Sequence, residues 1–528
     1  MKKLGLILKT AGAGLFAAFA FSSCGKEYAA VPEPVEISIA AWDAENSLAG
    51  DEVLSRIEEK LNIKIIPVNM TWDDYIEKVR LWASAGSLPD VFTGDFRNSA
   101  LYRQWAEQDI IRSIPEELDE YPSLQKYLEG KASQDARLDG ALYCIPRQTY
   151  PSQEWTCLDR MICYRWDLAQ EAGIEKEPET WEEFQEMISA IIKADPEGTG
   201  IGGLTAADKN QLCGMLLPYA SPIAAEGGGG AGYRWMRDKD GLCKPVYFVE
   251  DMTAAFQLAR NMYDSGVIEN DIMLTTNWSA EDKFLSGRSA AMVIAGGMEN
   301  KYGNIGRYWK EVHGTEYLED VKALDLMPDK DGNKSYPAWG YAWSESYING
   351  AVSEEKLDKI LQLYDYLLSD EGAFLSNYGP EGILYGWEDG KAKLHDPGVS
   401  ITDNYPSCGV LAYLVRWNPA PYDGRFVTPC PPEYMEVNRR LVEQAAEVVI
   451  PEFEPRCEQV MLELDIDFTI HFCDDLMEIM TGEEPVELMW EEICRQYDEQ
   501  GLQQVIRQVN ERLEALEKEE GPSPMDEQ

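Results

Sequence analysis

Strands and helices alternate near the start of the chain, and this alternation limits the possible folds more than any other feature. Residues 36–41 and 63–68 predict strands, separated by residues 47–61, whose apolar side chains recur at helical spacing. Thr71 then predicts the N-cap of a helix that runs to residue 85, and residues 89–92 open a third short strand. A βαβα order of this kind implies a parallel sheet covered by helices.

The same pattern returns later in the chain. Residues 181–193 and 354–368 predict amphipathic helices, and residues 290–295 predict a short buried strand between them. The last third is rich in helices and ends with residues 487–497 and 502–517. A chain of 528 residues is too long for one hydrophobic core, so we expect two or three domains of the α/β class.

The first residues have the layout of a secretory signal. Lys2 and Lys3 precede an apolar run at residues 11–21, which is too short to span a bilayer. The segment Ser22-Ser23-Cys24-Gly25 resembles a bacterial lipobox, although the residues at 21 and 23 depart from the usual Leu and Gly or Ala. This resemblance implies lipidation of Cys24 and a location at the extracytoplasmic face of the cell membrane, with the lipid as the only membrane contact. The alternative is an ordinary cleaved signal with an incidental cysteine.

Charge and cysteine content exclude several classes of function. With 47 basic and 94 acidic residues the net charge is −47, which repels nucleic acids and disfavours a strongly polyanionic ligand. Ten cysteines remain beside Cys24, without a C-x-x-C pair, and the three histidines lie far apart. We therefore expect no metal site and no cofactor, and the disulfide state stays open.

Five stretches, in order along the chain, match blocks of one protein family. They are 84–91 (SAGSLPDV), 139–147 (DGALYCIPR), 164–184 (YRWDLAQEAGIEKEPETWEEF), 284–292 (FLSGRSAAM) and 377–390 (NYGPEGILYGWEDG). Together they resemble the extracellular solute-binding proteins of family 1, which serve carbohydrate ABC importers as substrate-binding lipoproteins.

The resemblance implies a two-lobed clamp of the type II periplasmic-binding-protein kind, with discontinuous lobes and a helix-rich C-terminal part. The expected division is a signal peptide at 1–24, a linker at 25–35, an N-lobe at 36–150 plus 340–385, a C-lobe at 151–339 plus 386–500, and a C-terminal helix with a disordered tail at 501–528. Such a clamp closes on its ligand by a hinge motion.

Carbohydrate recognition needs aromatic rings for the C–H face of a sugar and polar groups for its hydroxyls. Open α/β sheets bind ligands in loops at the carboxyl ends of their strands, so we selected residues that follow predicted strands or flank predicted lobe crossings, together with one acidic residue of the last family block. The candidates are Trp42, Asp43, Asn46, Thr93, Asp95, Arg147, Tyr150, Trp155, Trp278, Trp339, Tyr341, Trp343 and Glu381.

Some relatives bind calcium at an acidic loop, but residues 195–203 here offer glycines and an isoleucine where oxygen ligands should stand. Residues 329–333 predict a simple turn.

The resemblance implies a non-enzymatic, monomeric receptor that captures a carbohydrate, in particular an oligosaccharide, and delivers it to the permease subunits of an ABC importer. Two alternatives remain open: a receptor for another solute such as a peptide, and a lipid-anchored glycoside hydrolase, whose carboxylate pair only geometry would identify.

Overall fold

Two β-sheets, each with its own hydrophobic core, organise the chain. This computed structural model describes residues 33–520 apart from 73, 98, 226–233, 300–304, 341, 397–398, 418–423, 426–429, 465 and 467. The strands within the described residues are β1 (Val35–Trp42), β2 (Ile63–Met70), β3 (Val91–Gly94), β4 (Ile145–Gln148), β5 (Arg160–Arg165), β6 (Gly202–Thr205), β7 (Trp235–Arg237), β8 (Cys243–Pro245), β9 (Ser289–Ala295), β10 (Val321–Ala323), β11 (Ala342–Ile348), β12 (Tyr385–Glu388) and β13 (Lys391–Leu394).

Helices cover both sheets and form most of the C-terminal third. The α-helices are α1 (Ala44–Ser47), α2 (Glu52–Leu61), α3 (Tyr75–Ala85), α4 (Ala100–Glu107), α5 (Pro122–Leu128), α6 (Lys131–Asp135), α7 (Trp166–Glu171), α8 (Trp181–Ala194), α9 (Lys209–Leu216), α10 (Thr253–Asp264), α11 (Asn277–Leu285), α12 (Ile305–His313), α13 (Tyr317–Asp320), α14 (Glu354–Leu368), α15 (Asp370–Tyr378), α16 (Ile401–Asn404), α17 (Ser407–Tyr413), α18 (Pro432–Ala445), α19 (Arg456–Glu463), α20 (Phe472–Thr481), α21 (Val486–Gln500) and α22 (Leu502–Glu520). Short 3₁₀ helices span Gln153–Leu158, Leu217–Tyr219, Pro222–Ala225, Val246–Phe248 and Ile272–Leu274.

The first sheet has the strand order β2-β1-β3-β11-β4. β1 runs parallel to β2 and β3, whereas β11 is antiparallel to β3 and β4. Ile37 and Ile39 of β1 are fully buried, because helices cover both faces of a sheet formed from βα units. The parallel sheet expected from the βαβα order is therefore confirmed for β1, β2 and β3.

Two local details of the first lobe differ from the sequence prediction. The expected helix at 47–61 is divided into α1 and α2, and Asp51 caps α2 by accepting a hydrogen bond from the Leu54 N–H. Thr71 is not an N-cap: α3 begins at Tyr75, and the Thr71 N–H instead donates to the Asp74 carboxylate.

The second sheet has the strand order β10-β5-β9-β6, with β6 parallel to β9 and the other pairs antiparallel. The helix predicted at 181–193 is confirmed as α8, and the Thr180 side chain accepts from the Glu183 N–H as an N-cap. The strand predicted at 290–295 is β9, and the helix predicted at 354–368 is α14.

The described residues show three connections between the lobes. It leaves the first sheet after Gln148, returns before Ala342, and leaves again between Trp417 and Cys430. Residues 386–417 were expected in the C-lobe, but Leu411 and neighbouring residues of α17 lie in the core of the first lobe, because the apolar face of α17 packs against that core. The first lobe therefore continues to about residue 417.

The C-terminal helix α22 was expected to lie outside both lobes, but it packs into the second lobe. Val509 and Leu513 of α22 are buried in the core of the second lobe. The expected tail after residue 520, the leader and Cys24 lie outside the described residues. No helix in the described part of the chain is long and apolar enough to cross a membrane.

Candidate functional site

Four tryptophans meet at the carboxyl edge of the first sheet. Trp42 ends β1, Trp72 follows β2, Trp343 lies at the start of β11, and Trp417 follows α17. The ring of Trp42 is stacked on that of Trp72 with centroids 4.6 Å apart, and on that of Trp343 at 5.6 Å. The Trp417 ring lies 5.4 Å from Trp343, and its indole N–H donates to the Trp343 carbonyl at 3.2 Å. We call these four residues the tryptophan cluster.

The cluster has a buried layer and an exposed layer. Trp42 is only 2% exposed, whereas Trp72 is 47% and Trp343 is 38% exposed. Tyr413, whose ring lies 4.6 Å from Trp417, is also 38% exposed. Two indoles and a phenol thus keep surface that is open to solvent, and the buried ring of Trp42 packs against both indoles.

Arg147 lies beneath the tryptophan cluster. Its guanidinium carbon is 4.9 Å from the Trp42 ring centroid and 5.5 Å from that of Trp417, both within the range of cation–π interactions. The two terminal nitrogens donate to the main-chain carbonyls of Tyr413 and Glu345, each at 3.0 Å. Arg147 is fully buried, and this burial lowers its pKa to about 10, so it remains charged at neutral pH. It therefore positions the aromatic rings and is not exposed to a ligand.

Two carboxyl groups lie close to the exposed rings. Asp95 lies beside the Trp343 indole and keeps solvent access, but the surrounding protein partly desolvates its carboxyl and raises its pKa. Glu345 is buried, lies 3.5 Å from Arg97, and accepts from the Tyr347 hydroxyl at 2.7 Å. Burial raises the pKa of Glu345 to about 7. Asp95 is the acid of this pair that can reach a ligand.

The second lobe presents polar groups at the opposing edge. The Tyr150 hydroxyl donates to Asp159 at 3.3 Å, and Asp159 forms a 2.7 Å ion pair with Arg160. Arg160 pairs with Ala295 in the sheet, so this group lies at the carboxyl end of β9. Glu299 follows β9 and accepts from an asparagine of α18.

Trp155 and Trp339 flank the crossings on the side of the second lobe. The six-membered ring of Trp339 lies against Gly214 of α9, where a Cβ would stand 2.7 Å from Cζ2 of the indole. Gln153 fixes this segment by donating to the Trp339 carbonyl at 2.9 Å. Trp155 packs partly buried against the core of the second lobe.

Of the remaining predicted ligand-binding residues, some lie near the tryptophan cluster and others do not. Asp43 and Asn46 are exposed just after β1, at the edge that carries the tryptophan cluster. Thr93 lies inside β3, fully buried, and its hydroxyl donates to the Ala40 carbonyl, so it cannot contact a ligand. Glu381 is exposed beside the β12–β13 hairpin. The Trp278 side chain and Tyr341 lie outside the described residues.

Trp72, Tyr413 and Trp417 were not predicted, nor was Tyr75, whose ring lies 5.2 Å from that of Trp42. Trp72 follows the second predicted strand, so the rule that selected Trp42 could have found it. Tyr413 and Trp417 carried no such signal, because Tyr413 ends the short helix α17 and Trp417 follows it, in a segment expected in the other lobe.

In the acidic loop at residues 195–203, the carboxylates already bond to other groups of the protein. The Asp195 carboxylate accepts from the N–H groups of Thr199 and Gly200, and Glu197 forms a 3.0 Å ion pair with the buried Arg165. At residues 329–333, Asp329 accepts from the N–H groups two and four residues later, which confirms a turn.

Comparisons with known proteins agree with the resemblance seen in the sequence. The chain is 22% identical over 348 residues to the polygalacturonan/rhamnogalacturonan-binding protein YtcQ of Bacillus subtilis, covering 63% of this chain and 64% of that protein. It is 21% identical over 339 residues to the lipoprotein LipO of the same organism, covering 61% and 62%. The match thus spans less than two thirds of either relative.

Solved structures show the same fold. The alginate-binding protein AlgQ2, in a structure without calcium ion, superposes with a TM-score of 0.69 at 15% identity, covering 91% of this chain and 98% of that one. The ABC-transporter substrate-binding protein FusA of Streptococcus pneumoniae, in complex with kestose, has a TM-score of 0.66 at 14% identity, covering 92% and 100%. The expected two-lobed α/β clamp is confirmed.

The profile of the family described as bacterial extracellular solute-binding protein matches residues 52–376, more than half of the chain. This match, the two-lobed fold and the crossings at the carboxyl edges of both sheets lead to one conclusion. The chain belongs to the bacterial extracellular solute-binding proteins.

Proposed function

We propose that the chain captures a carbohydrate, in particular an oligosaccharide, in the cleft between its lobes and delivers it to the permease subunits of an ABC importer. The tryptophan cluster is the observation that carries this proposal. The exposed faces of Trp72 and Trp343 suit the C–H face of a sugar ring, and Asp95 beside them can accept hydrogen bonds from its hydroxyls. The sugar ligands in the names of YtcQ and FusA support the same ligand class.

Export and tethering complete the proposed role. The lipobox-like segment at Cys24 and the similarity to a protein named a lipoprotein support a lipid anchor at the extracytoplasmic face. An anchored monomer keeps its captured ligand at high effective concentration near the permease.

Binding without hydrolysis fits the carboxyl groups of the first lobe. Glu345, with its pKa near 7, has the acidity expected of a general acid, but its side chain is 2% exposed and is held by Arg97 and Tyr347. It cannot reach a glycosidic oxygen, so Glu345 is not available to act as a general acid beside Asp95. These contacts support a receptor over a glycoside hydrolase.

The experiment is thermal unfolding of the protein with a panel of oligosaccharides and, separately, of peptides, followed by an assay for released reducing ends. We expect at least one glycan to raise the melting temperature without release of reducing ends. Stabilisation by peptides alone would contradict the carbohydrate assignment, and steady release of reducing ends would identify a hydrolase.

A further inference from the structure

The charges around the tryptophan cluster narrow the class of carbohydrate. Resting on the function proposed above, we infer that the cleft takes an uncharged oligosaccharide and disfavours one that carries carboxylate groups. A uronate needs a cation that it can reach, preferably a guanidinium, which binds a carboxylate through two parallel hydrogen bonds. Whether the cleft can bind a uronate therefore depends on whether a cation near the cluster is free to contact its carboxylate.

Arg147 is the cation nearest to the rings, and it is not available to a ligand. It is fully buried beneath Trp42 and Trp417, and its terminal nitrogens already donate to two main-chain carbonyls. Reaching it would require removal of the aromatic surface on which the sugar is proposed to stack.

Two further arginines near the cleft are paired with acids of this chain. Arg97, whose side chain is 18% exposed, lies 3.5 Å from Glu345 and donates to the Ala132 carbonyl. Arg160, at the edge of the second lobe, donates to both the carbonyl and the carboxylate of Asp159. A ligand carboxylate would have to displace these acids.

Two further cations lie close to the cluster, and one of them is paired with an acid. Lys78, on the helix that carries Tyr75, pairs with Asp74 at 2.9 Å and donates to the Asn69 carbonyl. The guanidinium carbon of Arg416 lies 5.7 Å from the ring centroid of Tyr127, and this side chain has no ion pair within the described residues. Lys78, Arg97 and Arg160 thus pair with acids of this chain and Arg147 is fully buried, whereas Arg416 has no acidic partner within the described residues.

Carboxylates, in contrast, reach the cleft from both lobes. Asp43 and Asp95 are exposed at the edge of the first sheet, and Glu299 lies at the edge of the second, where Asp159 is neutralised by Arg160. Such groups accept hydrogen bonds from sugar hydroxyls and repel a ligand carboxylate. At about 4 Å in water one like-charge contact disfavours binding roughly fivefold, and more where water is excluded. The whole chain, with a net charge of −47, adds to this repulsion.

The test compares glycans that differ only in their carboxyl groups. Size-matched oligogalacturonates, oligoalginates and glucuronoxylan oligomers are titrated calorimetrically before and after chemical reduction of their carboxylates to alcohols, beside neutral fructo-, xylo-, malto- and mannooligosaccharides. We expect a neutral glycan to bind at least about tenfold more tightly than every acidic one. Its Kd should change less than about twofold between 50 and 500 mM NaCl, because no ion pair to the ligand is screened.

An acidic glycan that binds as tightly as the best neutral one would overturn the inference and leave the proposed function standing. If no glycan of either kind binds, the proposed function fails and this inference falls with it. A variant sharpens the comparison: Asp95→Asn should narrow the gap between acidic and neutral glycans, because it removes a negative charge beside the rings. Asp389→Asn, in the distant β12–β13 turn, is the control and should leave that gap unchanged.

Discussion

Removal of the Trp72 ring tests the role of the tryptophan cluster most directly. Trp72 is 47% exposed and stacks on Trp42 at 4.6 Å, so about half of its surface is covered by protein and the rest is open to solvent. A tryptophan side chain buries up to about 250 Å², so roughly 100 Å² are available to a ligand. If a sugar covers most of this area, Trp72→Ala should cost about 1.5–2.5 kcal/mol of binding free energy, a roughly 10- to 70-fold rise in Kd.

The chain offers a matched control for this substitution. Trp387, on the β12–β13 hairpin, is 48% exposed and contacts Phe374 and Tyr385 rather than the cluster. Trp387→Ala should change Kd less than about twofold. Trp72→Phe keeps a flat ring and should fall between the native protein and Trp72→Ala.

The assay is isothermal titration with the oligosaccharide that raises the melting temperature most, and circular dichroism verifies folding of each variant. Equal affinity of Trp72→Ala and the native protein would refute the assignment of these rings to the ligand. A loss as large in Trp387→Ala would also refute it, because that result would indicate a general response to removing exposed aromatic surface.

Three further predictions concern stability and location. The folded state holds a proton on Glu345 up to about pH 7 against an ordinary pKa of 4.5, so stability should fall by about 3 kcal/mol as pH rises through this window. Urea unfolding of Glu345→Gln should show a flatter pH profile than the native protein; parallel profiles would contradict the assignment. Cys24→Ala should release the protein from membranes, measured by fractionation, with its Kd for the same oligosaccharide unchanged; a collapse in affinity would argue against a separate anchor and cleft. Gly214→Ala should cost about 1–3 kcal/mol in urea unfolding, because its Cβ would meet Trp339 at 2.7 Å. Combination with Trp339→Leu should recover part of that loss, and failure to do so would place the strain elsewhere.

Local patterns predicted the three parallel strands of the first sheet and several helices. The β1–α2–β2 region follows from apolar periodicity, and α8 from a threonine cap with acidic residues in the first turn. These signals are short-range, since a cap or an amphipathic face depends on residues within a few positions of one another.

The sequence predictions were wrong where they depended on the exact end of a strand or on packing between distant segments. Thr93 was expected in a loop after a strand at 89–92, but β3 continues to Gly94, so the side chain lies inside the sheet. Leu411 and its neighbours in α17 form an apolar face that either lobe could have buried, and only the tertiary fold selects the first. Trp417 escaped prediction for the same reason.

The hydrogen bonds of Arg147 have a mechanical consequence. Arg147 stands just before the first crossing, Glu345 follows the second, and Tyr413 precedes the third; one guanidinium joins all three. The three segments therefore cannot twist independently at this point, and a rotation of one lobe against the other is restricted to a shared pivot. Because that pivot touches the rings of Trp42 and Trp417, lobe rotation should change the surroundings of these indoles, which act as a built-in reporter of the angle between the lobes.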